Sequence, residues 1–349
     1  MSIKKNSNQN VNIKYIAKLA GVSHTTVSRA LRENSSTNPK TKEKILKIAR
    51  ELNYYPNHIA KGLREKKTRT IGIIFNDLNN PFYTEILTFI NEILNEKGYS
   101  MIVCTSNYDY EREKKNIITM ISKNVDGIII SPIDGKSDNI NLLLENNMEA
   151  VLIDCLPHFP NMSYVYTDHN KIARIATEYL IKNGHTDILV LTGPYKNSLV
   201  NDFIAGHLQI LKRYGIQRKK DLIMNADEHS IDSGYNAFKN LLTKNGFNKN
   251  IYFSAIITNS DLIAIGIYWV ANELRINIPD NYSIVSCDNI KFTNSLTPPL
   301  TTVHQPRKRI GSESIRILLY NINNKNKKLI EKIGFEPYIV VRGSVRNIK

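Results

Sequence analysis

A chain of 349 residues is too long for one ordinary hydrophobic core and predicts two or three domains. Its 42% hydrophobic content fits a soluble globular protein, and apolar runs such as Ile128-Ile129-Ile130 are far too short to span a bilayer. The net charge of +15 is concentrated: residues 1–69 hold 16 Lys or Arg against four Asp or Glu, a net +12, which predicts a polyanion-binding module in that segment.

At the N-terminal end, no apolar signal region follows Met1-Ser2-Ile3-Lys4-Lys5, so a cytoplasmic location is expected. Two short apolar-periodic segments follow, Ile13–Ala20 and Thr25–Leu31, parted by Gly21-Val22-Ser23. This is the layout of a helix-turn-helix, with Gly where a left-handed backbone is easiest and Ser23 placed to cap the second helix. Asn12 can cap the first helix, and Asn38-Pro39 opens a third with Ile45, Ile48, Ala49 and Leu52 on its apolar face. The second helix turns His24, Thr25, Ser28 and Arg29 outward, side chains suited to base edges and phosphates. An ordinary helical hairpin with a solvated face is the competing reading, and the located charge argues against it.

Residues 54–69 contain Asn57, Gly62 and the charged run from Glu65 to Arg69. A helix here would be marginal in isolation, so the segment reads as either a plain linker or a hinge helix that folds on meeting DNA. From Thr70 the pattern changes. Apolar strand candidates (Ile71–Phe75, Tyr99–Thr105, Gly127–Ser131, Val151–Asp154, Ile188–Leu191, Ala255–Thr258, Ser283–Ser286) alternate with helix-period segments. Among these are Tyr83–Glu96, Lys171–Lys182, Ser198–Tyr214 and Asp261–Leu274. Such alternation predicts parallel sheets covered on both faces, arranged as two doubly wound subdomains with a ligand cleft near the carboxyl ends of the strands.

Chemistry-bearing motifs are otherwise scarce. There is no GxSxG elbow, Walker-type phosphate loop, GxGxxG fingerprint or Cys/His ligand spacing, so neither catalysis, a metal nor a cofactor is expected. Cys104, Cys155 and Cys287 sit singly in apolar runs and read as small buried hydrophobes. His169 and His185 lie near element ends and read as surface or satisfied structural groups. An exported solute-binding protein would share the core but have no use for a +12 headpiece, and a nonspecific DNA binder would not need the core.

The stretches IAKLAGVSHTTVSRAL, LNYYPN, AKGLR, TIGIIFNDLNNPFY, NVDGIIISP, SDLIAIG and TPPLTTVHQP occur in this order. Taken together, they resemble the lactose and galactose repressor (LacI/GalR) family of bacterial transcription regulators. The resemblance implies a helix-turn-helix headpiece over 11–56, a hinge helix and linker over 57–69, and a periplasmic-binding-protein-like core over 70–349. Its subdomains are expected at approximately 70–167 with 306–325 and 168–305 with 328–349. It further implies a homodimer, or a dimer of dimers, on a near-palindromic operator in double-stranded DNA. The expected function is repression of a carbohydrate-metabolism operon in response to a sugar or sugar derivative, the alternatives being a nucleobase-like ligand or a protein co-repressor.

By position in the family, His24, Thr25 and Arg29 are expected to read base edges, and Ser23, Thr26 and Ser28 to meet the DNA backbone. Leu63 would wedge into the minor groove beside Arg64. Phe82, Tyr83, Asp154, Phe203, Ser260, Asp261 and Asp288 are the expected effector-binding set, with N-capping the competing role for Asp261. Phe203 stands where many members carry an effector-clamping Arg, which puts the usual effector classes in doubt.

Overall fold

In a computed structural model, the described residues are 12–31, 36–54, 67–156, 159–194, 198–244 and 252–349. The chain divides into two compact units, 1–68 and 69–349, each taken by itself below.

Among the described residues, the first unit is a three-helix cluster of α1 (Ile13–Ala20), α2 (His24–Ala30) and α3 (Pro39–Glu51). Each start is capped as its sequence dictates. Asn12, Ser23 and Asn38 accept from the backbone N–H of Tyr15, Thr26 and Lys40 at 3.0, 3.1 and 3.0 Å. Gly21 ends α1 at φ 69°, a left-handed turn that favours glycine. Ile16, Ala17, Ala20, Val27, Ile45 and Ile48 form the core between the helices. The small Ala17 and Ala20 let α1 and α2 cross closely.

The second unit holds two six-stranded sheets. In chain order its elements are β1 (Thr70–Phe75), α4 (Pro81–Glu96), β2 (Ser100–Thr105), α5 (Tyr110–Ser122), β3 (Gly127–Ile130), α6 (Asn139–Glu145), β4 (Ala150–Ile153) and β5 (Ser163–Thr167). The chain continues through α7 (His169–Lys182), β6 (Ile188–Thr192), α8 (Ser198–Arg213), β7 (Ile223–Asn225), α9 (Ile231–Lys244), β8 (Ala255–Thr258) and α10 (Asp261–Glu273). It ends with β9 (Ser283–Asp288), β10 (Thr301–His304), α11 (Arg307–Asn323), β11 (Lys332–Phe335) and β12 (Tyr338–Val340).

The first lobe carries the order β11-β5-β4-β3-β1-β2 and the second β12-β10-β9-β8-β6-β7. Every pairing is parallel except β10 with β12. Strands such as Gly127–Ile130 and Ile188–Thr192 are buried along their whole length, as helices on both faces require. The chain passes between lobes three times, after β5, after β10 and after β11, and these strands lie towards one edge of the two sheets. One expected boundary needs correction: residues 328–349 do not all belong to the second lobe. Lys332–Phe335 pairs with Tyr164–Thr167 in the first sheet, and only β12 joins the second. No helix among the described residues is long and apolar enough to cross a membrane.

Candidate functional site

In the first unit, burial of Val27 and Ala30 fixes which face of α2 looks outward. His24, Thr25 and Arg29 are exposed on it, and Thr26 and Ser28 are half-buried. Ser23 does more than cap the backbone: its Oγ lies 2.6 Å from Thr25 Oγ1 and 2.8 Å from Thr26 Oγ1. The helix entry is thereby rigidified, and Arg29 remains a long exposed donor one turn further along. The hinge residues Leu63 and Arg64 lie outside the described residues.

In the second unit a cavity of about 390 Å³, open mouth included, lies between the lobes. Asn80, Phe82, Tyr83, Tyr108 and Asp154 line it from the first lobe; Leu199, His229, Asn259, Ser260 and Asp288 line it from the second. His169 and Gln305 line it from two of the inter-lobe passages. The cavity thus sits at the carboxyl ends of both sets of strands, where open parallel sheets place ligands.

Its carboxylates are set by backbone geometry. Asp154 follows β4 at φ 53°, and Asp288 ends β9 at φ 110° with Asn289 next at φ 58°. Such left-handed residues at strand ends turn the chain sharply and aim the side chain across the cleft; Asp and Asn tolerate this conformation better than most. Asp154 Oδ2 accepts from the Tyr83 hydroxyl at 3.0 Å, and Oδ1 lies 3.1 Å from His169 Nε2. Behind Tyr83, Asn76 Nδ2 donates to the Tyr83 oxygen at 3.3 Å and to Ser131 Oγ at 3.2 Å, and Ser106 donates to Asn76 Oδ1 at 2.9 Å. A buried polar chain therefore runs from β1 through α4 to the start of α7. Burial alone would lower the His169 pKa, but the hydrogen bond and charge of Asp154 outweigh it and hold the imidazole above its ordinary value. Burial first, and the nearby Asp261 carboxylate second, push Asp288 upward.

Around Asp288, Gln305 Nε2 donates to Oδ1 at 2.9 Å. The buried Arg307 donates from its terminal nitrogens to the carbonyl oxygens of Asp288 and Asn289 and from Nε to Glu85 on α4. His229 is held between Tyr108, whose ring centroid lies 5.4 Å away at an interplanar angle of 35°, and the backbone of Gly193. A Cβ at 193 would fall 2.3 Å from the imidazole, so only glycine fits. The Gly193 N–H in turn donates to Asn259 Oδ1 at 3.0 Å.

Five expected effector residues line the cavity: Phe82, Tyr83, Asp154, Ser260 and Asp288. Two do not. Phe203 is fully buried in the apolar cluster of Ile172, Ala173, Ala176, Val190 and Ile257. Its place on α8 faces the sheet, and Leu199, one turn earlier, reaches the cavity. Asp261 is also fully buried, and its carboxylate accepts from Ile290 N–H at 2.9 Å and Thr302 Oγ1 at 2.8 Å. It ties down the loop that carries Asp288. His169, whose sequence position suggests a surface or satisfied structural group, lines the cavity, and so do Tyr108, His229, Asn259 and Gln305, which no sequence motif singles out as ligand-binding. Gln305 was within reach, since it lies in the quoted stretch TTVHQP; a lone His229 carries no pattern.

Residues 12–57 match the model described as bacterial regulatory proteins, lacI family. Residues 68–336 match the model described as periplasmic binding proteins and sugar binding domain of LacI family. The HTH-type transcriptional repressor PurR of Vibrio campbellii is 31% identical over 340 residues, covering 96% of this chain and 99% of that protein. The ribose operon repressor of Escherichia coli K12 is 28% identical over 334 residues, covering 95% and 99%. A lac repressor dimer bound to operator and an anti-inducer superposes with a TM-score of 0.82 at 26% identity, covering 97% of this chain and 100% of that one.

Proposed function

The chain belongs to the LacI family of bacterial regulatory proteins, and from that premise we propose that it represses transcription as a dimer on a near-palindromic operator, under control of a small molecule bound between its lobes. The observation that carries this reading is the cavity lined from both lobes and from two of their passages. A ligand there meets groups whose spacing depends on how the lobes stand, so it favours one arrangement over another.

Residues 11–56 form the headpiece, 57–69 the hinge and the remainder the sensing core. His24, Thr25 and Arg29 read bases, Arg29 by bidentate donation to guanine O6 and N7. Ser23, Thr26 and Ser28 meet the backbone, and Leu63 with Arg64 meets the minor groove. In the core, Phe82, Tyr83, Asp154, Ser260 and Asp288 contact the effector. A sugar is the leading class: the matching core model carries a sugar-binding description, and the ribose operon repressor covers nearly the whole chain. The flat rings of Phe82, Tyr108 and His229 around the cavity favour a nucleobase-like ligand as the second reading. The protein is a cytoplasmic regulator and not an enzyme, a reading supported by regulator matches at both ends of the chain.

Selection of operators from a random duplex pool with the full chain should enrich one inverted repeat. Adding the cognate sugar should shift affinity for it by about 5–150-fold. Enrichment of no symmetric sequence would remove the reading.

A further inference from the structure

A second cavity, of about 260 Å³ with its open mouth included, lies in the second lobe at the amino ends of β6 and β7, the opposite end of that sheet from the cleft. Thr186 and Asp187 line it ahead of β6, His207 lines it from α8, and Gln217, Arg218 and Lys219 line it from the loop leading to β7. The nine residues from Lys212 to Lys220 carry five Lys or Arg and no Asp or Glu.

Several of these cations have an evident structural use. Lys212 and Arg213 stand in the last turn of α8, where the helix dipole favours positive charge, and Arg213 also lies 3.9 Å from Glu178. Lys219 pairs with Asp187 at 2.5 Å and so neutralises the carboxylate on the cavity wall. Arg218 has no ion pair and no side-chain hydrogen bond among the described residues.

Three neutral groups beside Arg218 are unengaged as well. Among the described residues, the side chains of Thr186 and Gln217 meet no partner. His207 is only 2% exposed; its Nδ1 lies 3.0 Å from Thr177 Oγ1, which leaves Nε2 as the unengaged nitrogen of a ring that borders the cavity. With the Thr177 hydroxyl donating to Nδ1, the neutral ring carries its hydrogen on Nε2. Burial first, and the nearby Arg218 charge second, push the His207 pKa down to about 4, so the guanidinium and the imidazole act on one another across this wall.

A guanidinium, an amide, a hydroxyl and an imidazole therefore face one space whose carboxylate is already matched. The cleft is the reverse: Asp154 and Asp288 border it and, among the described residues, no Lys or Arg does. Several donors around one uncommitted positive charge suit a compact oxyanion, and the guanidinium fork fits two phosphate oxygens. We propose that this cavity binds a phosphate group, free or as a small monoester, through Arg218, Gln217, Thr186 and His207, as a second ligand site separate from the cleft. The inference does not rest on the reading of the cleft.

The test is calorimetric titration of the full chain with inorganic phosphate and with glycerol 3-phosphate, with sodium chloride at matched ionic strength as the control for screening. At least one phosphate should bind saturably, and chloride should not. A monoester that binds several-fold tighter identifies the ester as the source of the group, and equal affinities identify the free ion. Arg218→Gln leaves no protein group stranded, so the ligand-free urea midpoint should hold while phosphate affinity falls at least about tenfold. Lys212→Gln removes a charge from the same run but not from the cavity wall, and should change affinity less than about twofold. No saturable binding by either phosphate, or an affinity that survives Arg218→Gln, overturns the inference. So does a loss for Lys212→Gln as large as that for Arg218→Gln, which would reduce the site to a diffuse positive field.

Discussion

Nε of Arg307 donates to Oε2 of Glu85 at 2.9 Å, joining the start of α11 to α4. The same guanidinium holds the carbonyls of Asp288 and Asn289, so one side chain ties the first lobe to the loop that presents a cavity carboxylate in the second. Arg307→Ala strands a carboxylate and two carbonyls, and should destabilise the core by about 3 kcal/mol or more. Arg307→Lys should recover only part of that, because a point charge cannot serve three acceptors in fork geometry. Trp269, the sole tryptophan, stands half-exposed on α10 of the second unit, and its fluorescence follows urea unfolding of that unit.

Phe203→Arg would place a guanidinium in the apolar cluster around Ile172 and Val190. The expected outcome is a core that loses on the order of 3–5 kcal/mol or fails to fold. A soluble variant with unchanged unfolding midpoint and a new ligand response would mean that Phe203 swings into the cavity after all.

The contrast between Phe203 and Leu199 shows where sequence reading stops. Strands such as Ile71–Phe75 and Ala255–Thr258 are continuous apolar runs bounded by turn residues, and their pattern alone declares them. Ser163–Thr167 and Lys332–Phe335 carry polar or glycine positions, and their pairing depends on a neighbour far along the chain. That is why the 328–349 boundary went astray. In the site, Asp154 and Asp288 were legible because an acidic residue at the end of an apolar strand is conspicuous. Which face of α8 meets the cavity depends on helix phase against the sheet, which matching positions with relatives does not supply. His229 depends on a glycine 36 residues away for its place, a relation no local pattern encodes.

Two buried imidazoles each act to weaken the core in acid. Burial pushes His207 and His229 down to about 4. The unfolded chain takes up these protons first as pH falls from about 6.5, so stability drops between about pH 6.5 and 4, on the order of 3 kcal/mol for each group. His169 runs the other way: its raised pKa gives stability that is complete below about pH 6.5 and is lost as pH climbs through the raised value. Burial raises the carboxyl pKa values of Asp261 and Asp288 to about 6 and about 8, which stabilises the fold as pH falls through the same range, so each histidine's contribution is read as the difference between wild type and variant in urea midpoint against pH. His207→Gln should flatten the acid limb, and His169→Gln the alkaline one. Acid limbs that coincide in wild type and His207→Gln contradict the burial of that neutral imidazole.

Arg29 is exposed while its neighbours Val27 and Ala30 are buried, so its removal should leave the headpiece intact. Arg29→Ala should weaken specific operator binding by about 1–3 kcal/mol and relax preference at one base pair per half-site. Ser23→Ala should instead lower headpiece stability by about 1 kcal/mol through the lost cap, with base preference unchanged. Binding measured on a set of single-base operator variants, beside thermal melts, separates the two. Uniform loss across all sequences for Arg29→Ala would reassign that side chain to the phosphates.

The three passages between lobes, at 167–169, 304–307 and 335–338, act mechanically as a triple-pinned hinge. Three tethers near one edge suppress sliding and twisting and leave rotation about a line through them as the soft degree of freedom. His169 and Gln305 sit on two of the pins. A molecule gripping them works on the short arm of a lever whose long arms are the lobes, out to the edge strands β2 and β7. Small displacements at the pins are geared up into large ones at those far edges, so the cavity is placed to produce leverage as well as to hold a ligand.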